Sequence, residues 1–188
     1  MKRGLKTFLI VSLSSALLSV SSVVLSDDEK RGFLNWFGSK KSAVMEVDNK
    51  FYLEECGSCH FAYQPGLLPA ESWQKIMSNL DDHFGENAEL PEEDYNRIRS
   101  YLLESSAEHS NSRISAKFIR SLRGQAPLRI SEIPYFVKEH DELSRKMVQD
   151  NPEVKSFSRC DACHTDASKG IFDEHAVKIP GFGRWEDD

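Results

Sequence analysis

All four cysteines of this 188-residue chain fall in two copies of one pattern, "CGSCH" at residues 56–60 and "CDACH" at residues 160–164. Each copy offers two thiols separated by two residues and an imidazole directly after the second. A disulfide framework has no use for the histidines, and two bridges make a thin scaffold for a chain of this length. A thioredoxin-like centre uses one active pair at a strand-to-helix junction, not two pairs with a trailing histidine each. Zinc could take Cys56, Cys59, Cys160 and Cys163 as four thiolates, but the halves lie much farther apart along the chain than in a zinc ribbon.

Cys-x-x-Cys-His is also the attachment sequence of c-type haem, in which the thiols add to the porphyrin vinyl groups and the histidine binds the iron. Two intervening residues let one turn of backbone carry both thiols to neighbouring vinyl groups. The next residue, His60 or His164, is then delivered beneath the ring centre. Only this chemistry uses every residue of both copies, so the sequence predicts two covalent c-type haems (iron), one on Cys56 and Cys59 and one on Cys160 and Cys163. Two large apolar rings also supplement a modest core, which predicts a poorly folded apoprotein.

An iron with one free face binds small molecules, whereas a second strong ligand closes it. Four histidines remain for that role: His83, His109, His140 and His175. The stretch "LPAESWQKIMSNLDDHFGEN" predicts a helix with Pro69 in its first turn, Glu71 near its positive end and Gly85 as its stop. Trp73, Ile76, Leu80 and His83 recur there at helical spacing, which puts His83 at the end of an apolar stripe. "ISEIPYFVKEHDELSRKMVQ" predicts a second such helix, capped by Ser131, with Ile133, Phe136, Val137 and His140 on one face. His109 lies in a polar, serine-rich link that suits a solvated side chain. His175 is the reserve candidate, because a loop returning after Cys163 can reach the second iron. Met77 and Met147 read as core filling ahead of axial ligands. Arg129 ends the acid-free stretch "RISAKFIRSLRGQAPLR" just before the His140 helix, a position suited to pairing with a haem propionate.

Several further elements position these residues. Asp48 is expected to cap a short helix through residues 51–55, and Asn151, with Pro152 and Glu153, to start another before the second motif. "LPEEDYNRIRSYLLESS" is amphipathic, with Tyr95, Ile98 and Leu102 on one face, and so is the basic stretch with Ile114, Phe118 and Leu122. No segment alternates with period two. The expected fold is therefore mainly α: two small cytochrome c-type haem lobes, residues 27–112 and 113–188, with long haem-wrapping loops.

Residues 1–26 carry Lys2, Arg3 and Lys6 ahead of an apolar, serine-interrupted run ending at Ser26. That pattern predicts a cleaved signal peptide and export to the periplasm; a membrane anchor is the reading if it stays uncleaved. An arm with Phe33, Trp36 and Phe37 follows. The net charge of −6 falls to about −9 without the basic leader, which argues against a nucleic-acid partner. Nothing in the chain has the form of a nucleophile elbow.

With these parts in place, the chain resembles the small exported dihaem cytochrome c family of proteobacteria from about Phe51 to Pro180. The two attachment motifs and the stretch from Trp73 to Gly85 carry the likeness most specifically. The resemblance implies two low-spin, bis-histidine haems in a compact two-lobed protein, His83 and His140 matching the distal histidines. It also implies electron donation to a small oxygen-binding monohaem cytochrome c, often alongside a membrane cytochrome b. Nearness in sequence pairs His83 with the His60 haem. Single-electron transfer is the expected function; a dihaem peroxidase-like enzyme and a haem-based gas or redox sensor are the alternatives.

Overall fold

The structure, a computed structural model, describes residues 43–185. The expected signal peptide and the aromatic arm around Trp36 lie outside the described residues. Six α-helices carry the described part: α1 (Lys50–Glu55), α2 (Ala70–Met77), α3 (Glu92–Glu104), α4 (Arg113–Leu122), α5 (Pro134–Glu139) and α6 (Cys160–Cys163). Short 3-10 turns and loops join them. A two-stranded antiparallel hairpin, β1 (Lys178–Ile179) and β2 (Gly183–Arg184), follows, with Lys178 opposite Arg184. Its strands are too short to show alternation in the sequence.

The longer amphipathic helices form where the apolar spacing puts them. Ile98 and Leu102 of α3 are fully buried, and Phe118 and Leu122 of α4 are buried as well. In α4, Ser112 accepts the Ile114 N–H at 3.2 Å as N-cap, and Arg123 closes the helix in the left-handed region at φ 49°. α2 packs on α3 and α4 packs on α5, and Trp73, Met77, Ile98, Leu102, Phe118 and Ile133 belong to one core cluster. That core is continuous across residues 112 and 113. Truncating Leu102 to alanine removes a fully buried side chain, a loss of roughly 2–5 kcal/mol.

Several expected boundaries shift, each for a local reason. Asn49 caps α1 in place of Asp48, accepting the Tyr52 N–H at 3.1 Å. The helix expected to run to Gly85 stops at Met77. There Ser78 Oγ donates to the Lys75 carbonyl at 2.9 Å and Asn79 Nδ2 to the Asp82 carbonyl at 2.8 Å, so short polar side chains outcompete the helical ladder. α5 begins with Pro134 at its first position, and Ser131 lies in the preceding 3-10 turn instead of capping it. Val137 is 51% exposed and leaves the apolar face. No helix forms at Pro152 and Glu153; Asn151 accepts the Glu153 N–H within a turn and donates to the Pro180 carbonyl, tying that turn to the β-hairpin.

Candidate functional site

The two attachment motifs sit in different local structure. Cys56 follows α1 as its C-cap and Cys59 lies in the next turn, whereas Cys160 and Cys163 bound the single turn of α6. All four are free thiols. Burial, then the Asp161 carboxylate, pushes the Cys160 thiol up to about 12, and burial pushes Cys56 up to about 11. Thiolates are therefore disfavoured at both. Among the described residues no three His, Cys, Asp or Glu side chains gather into a metal cage, which leaves the four-thiolate zinc arrangement without a geometry.

The histidines, by contrast, come together in pairs. His60 faces His83 with ring centres 6.1 Å apart and planes 20° apart. His164 faces His140 with ring centres 6.2 Å apart and planes 68° apart. One metal ion between two imidazoles, bonded at about 2 Å with roughly 1 Å more to each ring centre, sets the rings about 6 Å apart. Both separations fit an iron held between the rings.

Each partner reaches its place differently. His83 is carried by a tight turn, not by a helix end. Its N–H donates to the Glu86 carbonyl at 2.7 Å, and Phe84 and Gly85 between them both have positive φ, 58° and 101°. Two such residues in sequence make a primed turn, which glycine permits at the second position. His140 is the C-cap of α5. Its ring stacks on Phe136 at 3.9 Å, one helical turn back, and meets the edge of Phe157.

Hydrogen bonds select the tautomers. His60 Nδ1 donates to the Phe61 carbonyl and His140 Nδ1 to the Phe136 carbonyl, each at 2.8 Å. Nε2 then carries the lone pair that a metal needs. His164 Nδ1 is buried with no partner among the described residues. Burial, with His140 beside it, lowers the His164 pKa to about 4, and burial also lowers those of His83 and His140. At neutral pH these three rings are neutral, the form that binds metal.

A cavity of about 1070 Å³ opens around the second pair, walled by Phe118, Phe136, Phe157, Phe172 and the Cys160 and Cys163 thiols. Charged side chains, Arg113, Lys117 and Arg159 among them, complete a wall that is more apolar than polar, and its size suits a large, flat ring with charged substituents. Beside the first pair lies a smaller cavity of about 410 Å³, where Lys75, Ile76, Phe84 and Arg129 surround His83. Arg129 is thus found at the His83 side, its guanidinium 4.0 Å above the Phe84 ring.

The remaining candidates lie elsewhere. His109 and His175 are exposed, and His175 pairs with Glu174. Met77 is in the core, and Met147 is half-buried outside the lining of both cavities. Sequence reasoning does not single out Tyr63, Phe157 or Phe172, which pack on the paired histidines. Tyr63 and Phe157 each stand three positions from a motif, their one visible signal, and Phe172 lies eight beyond the second.

The model of the dihaem cytochrome c family matches residues 52–172. No curated protein sequence matches the chain significantly. Among solved structures, a diheme cytochrome type c from Shewanella baltica is 46% identical with a TM-score of 0.62, covering 74% of this chain and 99% of its own. A diheme cytochrome c from Rhodobacter sphaeroides is 41% identical with a TM-score of 0.58, covering 68% of this chain and 99% of its own. A second structure from that organism is 40% identical over the same share of this chain, with a TM-score of 0.55 and all of its own length covered.

Proposed function

The chain belongs to the dihaem cytochrome c family and carries two c-type haems, and we propose that it is a periplasmic carrier of single electrons with two bis-histidine irons. His60 and His83 hold one iron, His164 and His140 the other, and the thiols of Cys56, Cys59, Cys160 and Cys163 form the thioethers. Each bound haem supplies a one-electron iron couple. The observation that carries this reading is the pair of ring separations, 6.1 and 6.2 Å, between histidines far from helical register with one another.

The chain's residues supply everything else. The Phe61 and Phe136 carbonyls orient His60 and His140 and enrich their donor nitrogens. Phe136, Phe157 and Phe172 pack against the rings of the second pair. With His83 and His140 placed to complete the two histidine pairs, bound irons would need little rearrangement on oxidation and reduction, which suits electron transfer and disfavours the peroxidase and sensor readings. Intact mass counts two haems, and the oxidised protein is expected to be low-spin throughout. Carbon monoxide added to the reduced protein is expected to leave its spectrum unchanged; a shift at either iron overturns the ligand set.

The redox partners proposed are those the family resemblance implies, a small oxygen-binding monohaem cytochrome c and a membrane cytochrome b. The acidic surface favours a basic docking face on the acceptor, so association is expected to weaken as salt rises. Export rests on the leader at residues 1–26, and a mature protein beginning near Asp27 is its test.

A further inference from the structure

Tyr63 touches both sites. Its ring lies 5.3 Å from the His60 ring, with planes 32° apart, and its hydroxyl donates to the Ser158 carbonyl at 2.9 Å, across 95 positions of sequence. Ser158 stands two residues before Cys160. The neighbouring Gln64 is fully buried, and its Nε2 donates to the Ala167 carbonyl at 2.6 Å, beyond the other end of the second motif. Residues 63 and 64 therefore bracket Cys160 to His164 from both sides. Tyr52 Oη donates to the Tyr63 carbonyl at 2.8 Å and anchors the bracket to α1. Tyr63 is half-buried, and among the described residues its hydroxyl donates one hydrogen bond, the cross-link to Ser158.

We infer that Tyr63 is the coupling residue between the two haem sites, linking the His60 imidazole to the Cys160 attachment backbone through its ring and its hydroxyl hydrogen bond. The inference rests on the histidine assignment above. In the exchange it serves, one electron leaves a ferrous iron at one site and reduces the ferric iron at the other. Tyr63 forms and breaks no covalent bond, and its phenol keeps its proton, as burial favours. Its role is positional: a short connected route and a fixed relative placement of the two centres.

The test uses the holoprotein carrying both haems. After partial photoreduction by a soluble dye, electron redistribution between the sites is expected to slow several-fold in Tyr63→Phe, which loses one oxygen, with both midpoint potentials unmoved. Tyr63→Leu is expected to slow it further and to shift the ferric electron paramagnetic resonance signal of the His60 site alone. If Tyr63→Leu fails to mature, Tyr63→Phe alone decides. Gln64→Leu cuts the other half of the bracket without touching His60, and is expected to lower the melting temperature while leaving the rate near wild type. An unchanged rate in Tyr63→Phe, or equal slowing in Gln64→Leu, overturns the inference. High-spin or carbon monoxide-reactive wild-type protein instead sinks the ligand assignment, and the His60 arm of the link with it.

Discussion

The His60–His83 and His140–His164 pairs have nearly the same ring separation and almost nothing else in common. In the first, the imidazole planes are 20° apart, and His83 rides a primed turn whose Phe84 is 45% exposed. In the second they are 68° apart, and His140 stacks on its own helix beside a large cavity with several aromatic residues in its wall. The backbone-bonded imidazole is the motif histidine in one pair and the distal histidine in the other. Spacing is therefore what the pairs share, and under the proposed ligation it follows from metal–nitrogen bond lengths. Orientation and surroundings are free to differ, and those are what tune an iron's electronic structure and potential.

The largest expected effect comes from removing a proposed distal ligand. His83→Ala and His140→Ala are each expected to turn one iron high-spin while the other stays low-spin, read in the absorption spectrum. Added imidazole should restore His83→Ala more readily, since the turn leaves its gap open to solvent, whereas the His140 gap is enclosed by Phe136 and Phe157. Equal rescue of both would erase the contrast.

Next in size is a change at Gly170. Its φ is 72°, and a Cβ there would collide with the Val44 carbonyl oxygen, where Val44 N–H bonds the Gly170 carbonyl at 2.8 Å. Gly170→Ala combines left-handed strain with a backbone clash and is expected to cost about 2 kcal/mol or more. Thermal unfolding followed at the haem absorbance measures that loss. Beside the second cavity, the damage should fall on the His140–His164 site first.

A spectroscopic outcome sharpens the contrast without mutation. Near-parallel imidazoles split the iron orbitals that share the unpaired electron, and near-perpendicular ones leave them almost degenerate. Oxidised protein is therefore expected to show two low-spin ferric signals, a rhombic one from the first site and a strongly anisotropic one from the second. Two superimposable signals would mean that the ring planes are alike.

The smallest expected effect belongs to Arg129. Its positive charge beside His83 favours the reduced, less positive iron, so Arg129→Gln should lower the first site's potential. The side chain is half-exposed, which limits the change to the order of tens of millivolts. The second site should not move, and a redox titration resolving both midpoints checks this.

Much of the site was legible because its signals are local. Helix α3 could be placed from Pro91, three acids and the Ile98–Leu102 spacing, since amphipathic burial and caps act within one element. His83 and His140 stood out by lying at the ends of apolar stretches; His140 stays one turn from Phe136 at the end of its helix, as its stretch suggests, whereas His83 has left the helix for a turn. The helix break after Met77 depends on Ser78 and Asn79 side chains winning over the helical ladder, a competition that periodicity does not register. Tyr63 left no mark because its partner, Ser158, is remote in sequence. Arg129 directly precedes the His140 helix in sequence yet lies beside His83, a placement that chain order does not reveal.

The sequence alone determined the covalent chemistry. Thioether attachment needs two thiols and an imidazole at short, constant spacing along one backbone turn, and such spacing is written directly in residues 56–60 and 160–164. Tertiary structure decided which distal histidine meets which motif, at what plane angle, and through which residue the two sites touch. Those relations join segments tens of residues apart, and they depend on packing around Phe136, the turn at Phe84 and the bond from Tyr63, where small competing free energies set geometry that no residue spacing encodes.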